Sequence, residues 1–231
     1  MPDNKTWADA IISKLTPGFR HRWEAYKIKL NENITNSTYW IDCGCGDNGI
    51  IEEFGQLAFY AVGCDIIEPT ASSASFIKAD VRHLPFENNS ADLITLRFVV
   101  EHLKDIESDF TDIIRVLKSC GKVIILTTNI FCPYIFMARF VPFPIKNFII
   151  SKIFKVVPDD IFKTYHRLNT PWAFRKGIGT LNLKEIEYIS DLNYKRKPVF
   201  LMFLFWHLIT KPKCLNQFRT NILATFEKID E

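Results

Sequence analysis

Three acidic residues stand at the ends of short strand-like segments: Asp42 after Tyr39-Trp40-Ile41, Asp65 after the apolar run Phe59–Cys64, and Asp80 after Ser75–Ala79. β-Favouring apolar runs of this length read as buried strands. In an open α/β sheet the carboxyl ends of the strands form the ligand side, so these carboxylates can accept hydrogen bonds from a ligand's cation, hydroxyl or amine. Just past Asp42 come Gly44, Gly46 and Gly49, which let the backbone turn sharply and approach a ligand with no Cβ in the way. Two histidines could move protons near neutral pH. His102 follows Glu101 at a helix start, and His166 lies between Tyr165 and Arg167. Each also has a purely structural reading, which for the stretch around His166 is a capped helix start at Thr170-Pro171.

The glycine turn reads as a nucleotide cradle, but Gly44-x-Gly46-x-x-Gly49 also satisfies the dinucleotide fingerprint, a weak signal alone. Asp42 helps to decide. A pyrophosphate gains nothing from a carboxylate two residues before the first glycine, whereas a ligand with a cationic amino acid end gains a charge-assisted hydrogen bond. S-adenosylmethionine is such a ligand.

Asp42-Cys43-Gly44-Cys45-Gly46 resembles the first motif of the class I S-adenosylmethionine-dependent methyltransferases, and further blocks follow in the family's order. These are Val62-Gly63-Cys64-Asp65, Ala79-Asp80-Val81, Leu84-Pro85-Phe86, Ala91-Asp92-Leu93-Ile94, Glu101-His102-Leu103 and Arg115–Gly121. The set is most similar to small-molecule methyltransferases related to the ubiquinone-biosynthesis group, and it covers about residues 38–130. The resemblance implies cofactor contacts by Asp42, Gly44, Cys45, Gly46, Asp65, Ile66, Asp80, Val81 and Arg97: Asp65 on the ribose hydroxyls, Asp80 on the adenine amino group, and Arg97 at the far wall of the crevice. Asn48 stands where the family usually has its third glycine, with Gly49 one place later. Asn tolerates the left-handed conformation better than other non-glycine residues, so the turn should survive.

The elements that would position these residues follow in chain order. Residues 5–31 predict two short helices broken at Thr16-Pro17-Gly18. The acid-ended runs give three strands, Ala91–Leu96 a fourth, and a helix from Glu101 to a stop at Gly121 leads into a fifth, Lys122–Thr128. Leu183–Ile189 and Thr220–Ile229 give a sixth and a last strand, the last antiparallel in the resembled fold. The expectation is α/β: a single Rossmann-like domain over residues 1–231, with a seven-stranded, mostly parallel sheet, helices on both faces and an apolar helical insert after the fifth strand. Residues 1–37 carry the leading helices, 38–130 the cofactor-binding half and 131–231 the acceptor-side half.

With 29 basic against 26 acidic side chains, the net charge of +3 is too balanced to point to nucleic acid. The six cysteines are scattered and read as small buried thiols of a reducing compartment, not as a metal set. A polar N-terminus without a signal-peptide core adds to the expectation of a cytoplasmic protein.

Beyond Asn129 the sequence turns aromatic and basic. Residues 130–157 and the run Pro198–Ile209 are each too short or too interrupted to span a bilayer. The first is favoured as a lid over the acceptor site, with a surface resting on a bilayer, its lysines at the headgroups, as the other reading. The second fits a buried segment with solvated ends or peripheral contact with anionic lipid. Both lie where acceptor specificity is built, so the expected acceptor is a small hydrophobic or lipid-linked molecule, with His166 and His102 as candidate bases. The rivals are a nicotinamide-dependent oxidoreductase and a catalytically silent, membrane-associated homologue that binds the cofactor.

Overall fold

The computed structural model describes residues 4–70, 75–142, 145, 163–193 and 196–229. It divides into two compact units. One comprises Met1–Ala25, Asn129–Lys163 and Tyr188–Asn221; the other comprises Tyr26–Thr128, Thr164–Glu187 and Ile222–Glu231.

The second unit is organised by strands β1 (Tyr39–Cys43), β2 (Tyr60–Asp65), β3 (Phe76–Lys78), β4 (Ala91–Arg97) and β5 (Leu117–Thr128). β1 pairs in parallel with β2 and β4, β2 with β3, and β4 with β5. β1 and β4 are central and covered on both faces, which is why Trp40–Cys43 and Leu93–Leu96 are continuously buried instead of alternating. Strands β6 (Leu181–Ile189) and β7 (Asn221–Lys228) complete the order β3-β2-β1-β4-β5-β7-β6. Asn129, past the end of β5, donates to the carbonyl of Thr220 at the start of β7, and Ile229, past the end of β7, donates to that of Thr180 at the start of β6. β7 therefore runs antiparallel to both neighbours, as expected, and lies between β5 and β6.

Helix α1 (Asn4–Leu15) ends where Thr16-Pro17-Gly18 breaks it, and α2 (Arg22–Asn33) follows. After β1 the short α3 (Gly49–Phe54) buries Ile50, Ile51 and Phe54. The helix expected from Glu101 to Gly121 differs in the structure. Val100–His102 is a single 3₁₀ turn, and α4 (Ile106–Asp109) and α5 (Thr111–Val116) are short pieces. Gly121 does not stop a helix: it lies within β5, at an irregularity between the pairs Ala91–Leu117 and Leu93–Lys122. A Cβ there would come within 2.8 Å of both the Leu117 side chain and the Lys118 carbonyl, so the glycine answers to crowding in the bulge.

In the first unit, Ala8, Ile12, Leu192, Phe200 and Leu204 form a buried cluster flanked by Trp7, Ile11, Phe19 and Phe203. Phe200 and Leu204 belong to α8 (Lys197–Ile209), which is the apolar run read from the sequence. The insert after β5 begins as α6 (Pro133–Ala138), and most of its remainder, 143–144 and 146–162, lies outside the described residues. Helix α7 (Pro171–Lys176) belongs to the second unit and starts as its sequence suggested, with Thr170 Oγ1 accepting a hydrogen bond from the Ala173 amide at 3.0 Å and proline in the first turn.

Candidate active site

The loop from Cys43 to Gly49 leaves β1 at the carboxyl edge of the sheet, beside the point where strand order reverses between β1 and β4. Gly44 has φ +71° and Gly46 φ +60°, so both need left-handed backbone. Their surroundings differ. A Cβ on Gly44 would come within 2.1 Å of Val99 Cγ2, whereas one on Gly46 would meet nothing within 4 Å. Gly44 is thus required by protein packing, and Gly46 faces open space. The amides of Gly44 and Cys45 both donate to the Cys64 carbonyl, which fastens the loop to the end of β2. Asn48 also adopts left-handed backbone, at φ +63°, while buried, and its Nδ2 donates to the Ser75 carbonyl at 3.2 Å. It does the conformational work of the missing glycine and adds a tether.

Asp42 is fully buried and engaged from within the protein. Oδ1 accepts from Thr95 Oγ1 at 2.6 Å and Oδ2 from the Arg97 guanidinium at 2.8 Å. Thr95 Oγ1 in turn accepts from Trp40 Nε1 at 2.9 Å, and Arg97 also donates to the Cys45 carbonyl at 3.2 Å. The carboxylate expected to await a ligand cation therefore already has a protein cation. Arg97 sits over the Tyr26 ring, 5.7 Å from its centroid. Burial opposes the guanidinium charge, but Asp42 and its other neighbours hold its pKa above the usual value. Burial, with the Asp42 charge second, pushes the Cys45 thiol up to about 12 and raises the Tyr26 phenol as well. Cys45 is accordingly a protonated thiol, unsuited to nucleophilic or metal-binding work. Among the described residues no group of three His, Cys, Asp or Glu side chains is placed to hold a metal.

Asp65 ends β2 next to the loop. Its Oδ2 accepts from the Gly46 amide at 2.9 Å and its Oδ1 from the Ile67 amide at 3.0 Å. These bonds orient a partly exposed carboxylate and leave lone pairs on both oxygens. Ile66, the next residue, is half exposed. Asp80 follows β3 and is held by Arg82, through its backbone amide, Nε and a terminal nitrogen. That pairing lowers the Asp80 pKa. Val81 beside it is buried.

Both candidate histidines belong to the same edge. The Glu101 carbonyl accepts from the amides of Tyr165 and His166, at 2.7 and 3.2 Å, so the 165–166 backbone is fastened directly to the residue before His102. His166 takes φ +52° there. Glu101 is itself buried, with Oε2 accepting from Thr127 Oγ1 at 2.7 Å. Asn169 Nδ2 donates to that same hydroxyl at 2.7 Å and to the Thr128 carbonyl at 2.9 Å. Residues 165–169 are thereby tied to the Val100–His102 turn and to the carboxyl end of β5. Arg167 is exposed.

Thr95, Val99, Thr127 and Asn169 were not found from the sequence. Each acts across 26 residues or more, Thr95 on Asp42, Thr127 on Glu101 and Asn169 on Thr127, and no local pattern announces such a pairing.

The methyltransferase domain family matches residues 41–125. Among curated proteins, the ubiquinone/menaquinone biosynthesis C-methyltransferase of Idiomarina loihiensis is 37% identical over 134 residues, which is 51% of this chain and 53% of that protein. The chain spans about half the length of the curated relatives of that kind. Among solved structures, an S-adenosylmethionine dependent methyltransferase from Mesorhizobium loti aligns over 89% of this chain and 97% of its own, with TM-score 0.56 and 16% identity. A geranyl diphosphate C-methyltransferase from Streptomyces coelicolor aligns over 99% of this chain and 86% of its own, with TM-score 0.57 and 13% identity. At such identities these structures speak for the fold alone. The sheet order and the acids at successive strand ends thus frame a segment, residues 41–125, that is similar to the methyltransferase domain family, within a fold shared with S-adenosylmethionine-dependent methyltransferases.

Proposed function

We propose that this protein, working as a single methyltransferase domain in the cytoplasm, transfers a methyl group from S-adenosylmethionine to a small hydrophobic or lipid- or glycan-linked acceptor. The observation that carries the reading is the pairing of Gly46 with Asp65. The loop glycine opens onto free space, and its amide fixes a strand-end carboxylate beside that space. This suits a nucleoside: Asp65 would accept from the two ribose hydroxyls, exposed Ile66 would cover one face of the adenine, and Asp80 and the Val81 backbone would meet its edge. The Asp42–Arg97 pair suits the amino acid end, since a zwitterion set against a paired carboxylate and guanidinium meets complementary charge at both of its groups. Gly44 and Cys45 would then shape the loop, not grip the ligand.

When bound, the cofactor supplies a sulfonium methyl already activated for transfer. The protein's task is to align the acceptor atom and exclude water. His166, with His102 as its competitor, would take the acceptor's proton, and their shared anchorage at Glu101 supports a role for one of them at this edge. Arg167 would grip an anionic group on the acceptor. The aromatic character of residues 130–157 and the ubiquinone-type relatives support a hydrophobic acceptor.

Calorimetry and thermal shift with S-adenosylhomocysteine and NAD test the cofactor assignment. S-adenosylhomocysteine at a hundred times its Kd should add about 2.7 kcal/mol of stability. A shift with NAD and none with S-adenosylhomocysteine would overturn it.

A further inference from the structure

Helix α8, Lys197–Ile209, is apolar almost all round, a composition that normally means burial on every side. It is not buried on every side. Phe200, Leu204 and His207 face the core of the first unit. Next to them, Phe203 and Trp206 are covered by Tyr134 of α6, with ring centroids 5.8 and 5.6 Å away. The remaining stripe, Leu201, Met202, Phe205, Leu208 and Ile209, is exposed, with Phe205 at 62%. At 100° per residue these five positions fall within about 120° of one another, so they form one continuous face. The Tyr134 contacts bring α6 alongside, and α6 with the residues after it adds Phe136, Met137 and Phe140, the last two at 67% and 70% exposure. Monomeric soluble proteins rarely leave apolar surface of this kind uncovered without a use for it.

The charge around this face names its partner. Among the described residues, 129–142 and 196–221 of the first unit hold six basic side chains, Arg139, Arg196, Lys197, Lys211, Lys213 and Arg219, and no acidic one. Among the described residues, Arg139 follows α6, Arg196 and Lys197 stand at the start of α8, and Lys211 and Lys213 follow its end; all are exposed. Basic ends around an apolar stripe match an anionic bilayer surface, where the stripe sinks to the acyl boundary and the cations stay among the headgroups. The same charge disfavours a second copy of the chain as the cover. A two-fold interface sets each patch against itself, and these segments have no acid to answer the other copy's lysines and arginines. We infer that the α6–α8 face is a docking surface for membranes containing anionic lipid, a property separate from the methyltransferase reading.

The experiment is co-sedimentation of the full chain with phosphatidylcholine vesicles, plain or containing phosphatidylglycerol. The expected result is binding that is strong with phosphatidylglycerol, weak without it, and reduced by salt. Phe205→Glu with Met137→Glu should weaken binding at least about tenfold. Lys211→Glu with Lys213→Glu should erase the preference for the anionic vesicles. Thermal shift with S-adenosylhomocysteine on the same variants confirms that they are folded, and it reads the cofactor assignment independently. Absence of vesicle binding by the unsubstituted protein, or unaltered binding by the Phe205/Met137 variant, would overturn the inference. So would light scattering that finds a dimer which these substitutions dissociate, with vesicles ignored; the face would then be an interface between copies.

Discussion

Removing one member of the Asp42–Arg97 pair should cost far more than a surface ion pair would. Asp42 has no exposed side-chain surface and Arg97 has 12%, with a contact of 2.8 Å. Two unit charges about 4 Å apart at an effective dielectric of about 20 attract by about 4 kcal/mol. An exposed pair contributes about 1 kcal/mol at most, whereas deleting one partner of a buried pair costs about 3–5 kcal/mol because the other charge stays buried. Asp42→Asn keeps an acceptor for Thr95 but strands the guanidinium, so a loss of about 3 kcal/mol is expected. Arg97→Met strands the carboxylate, with a similar loss. The double variant strands neither charge and should be more stable than the two losses predict, by about 2 kcal/mol or more. Urea denaturation of the four proteins, followed by tryptophan fluorescence and circular dichroism, measures the cycle. Coincidence of the two probes decides whether a two-state treatment applies. Strictly additive losses, or a loss below about 1 kcal/mol for Asp42→Asn, would refute the view that this pair holds the loop.

The two loop glycines should separate folding from ligand binding. Gly44→Ala drives a Cβ into Val99 and should destabilise the fold strongly, while Gly46→Ala meets no atom and should cost only about 1–2 kcal/mol of backbone strain, yet impair S-adenosylhomocysteine binding by calorimetry. Asp65→Ala should weaken the cofactor about thirty-fold or more, as expected for loss of about 2–3 kcal/mol of charge-assisted hydrogen bonding; unchanged affinity in a folded variant would remove the ribose role. With an acceptor in hand, His166→Ala should lower turnover by about 10²–10⁴-fold while sparing cofactor affinity; full activity would return this stretch to a purely structural role. Burial, with Arg219 and Lys211 adding to it, depresses the His207 pKa to about 4, while its ring is bonded to Ser190 at 2.8 Å. Between pH 4 and the unfolded value near 6.5 the unfolded chain binds the extra proton, so stability should rise with pH across that window, by about 2–3 kcal/mol, and His207→Phe should flatten the rise in pH-dependent denaturation.

The strands were legible because a buried strand writes its environment into its own residues. Trp40-Ile41 and Leu93-Ile94 are apolar over consecutive positions, since both faces of the central sheet are covered. Left-handed backbone was legible for the same reason: conformational freedom belongs to a residue itself, so Gly44, Gly46 and even Asn48 announce the turn. The cap at Thr170-Pro171 likewise depends on neighbours within one helical turn. What the residues did not disclose is where their polar groups are spent. Asp42 reads as an open carboxylate until Thr95 and Arg97, more than 50 residues later, arrive at its two oxygens. Gly121 reads as a helix stop, because nothing local reveals that it must fit a bulge within β5. Nor does the order of strands along the chain reveal that β7 lies between β5 and β6. The anchoring of 165–166 on the Glu101 carbonyl is made by backbone atoms that every residue carries, so no side-chain pattern encodes it. Sequence thus determined which segments could form strands, turns and caps. Tertiary structure alone decided which distant donor meets which acceptor, because that depends on strand order and register.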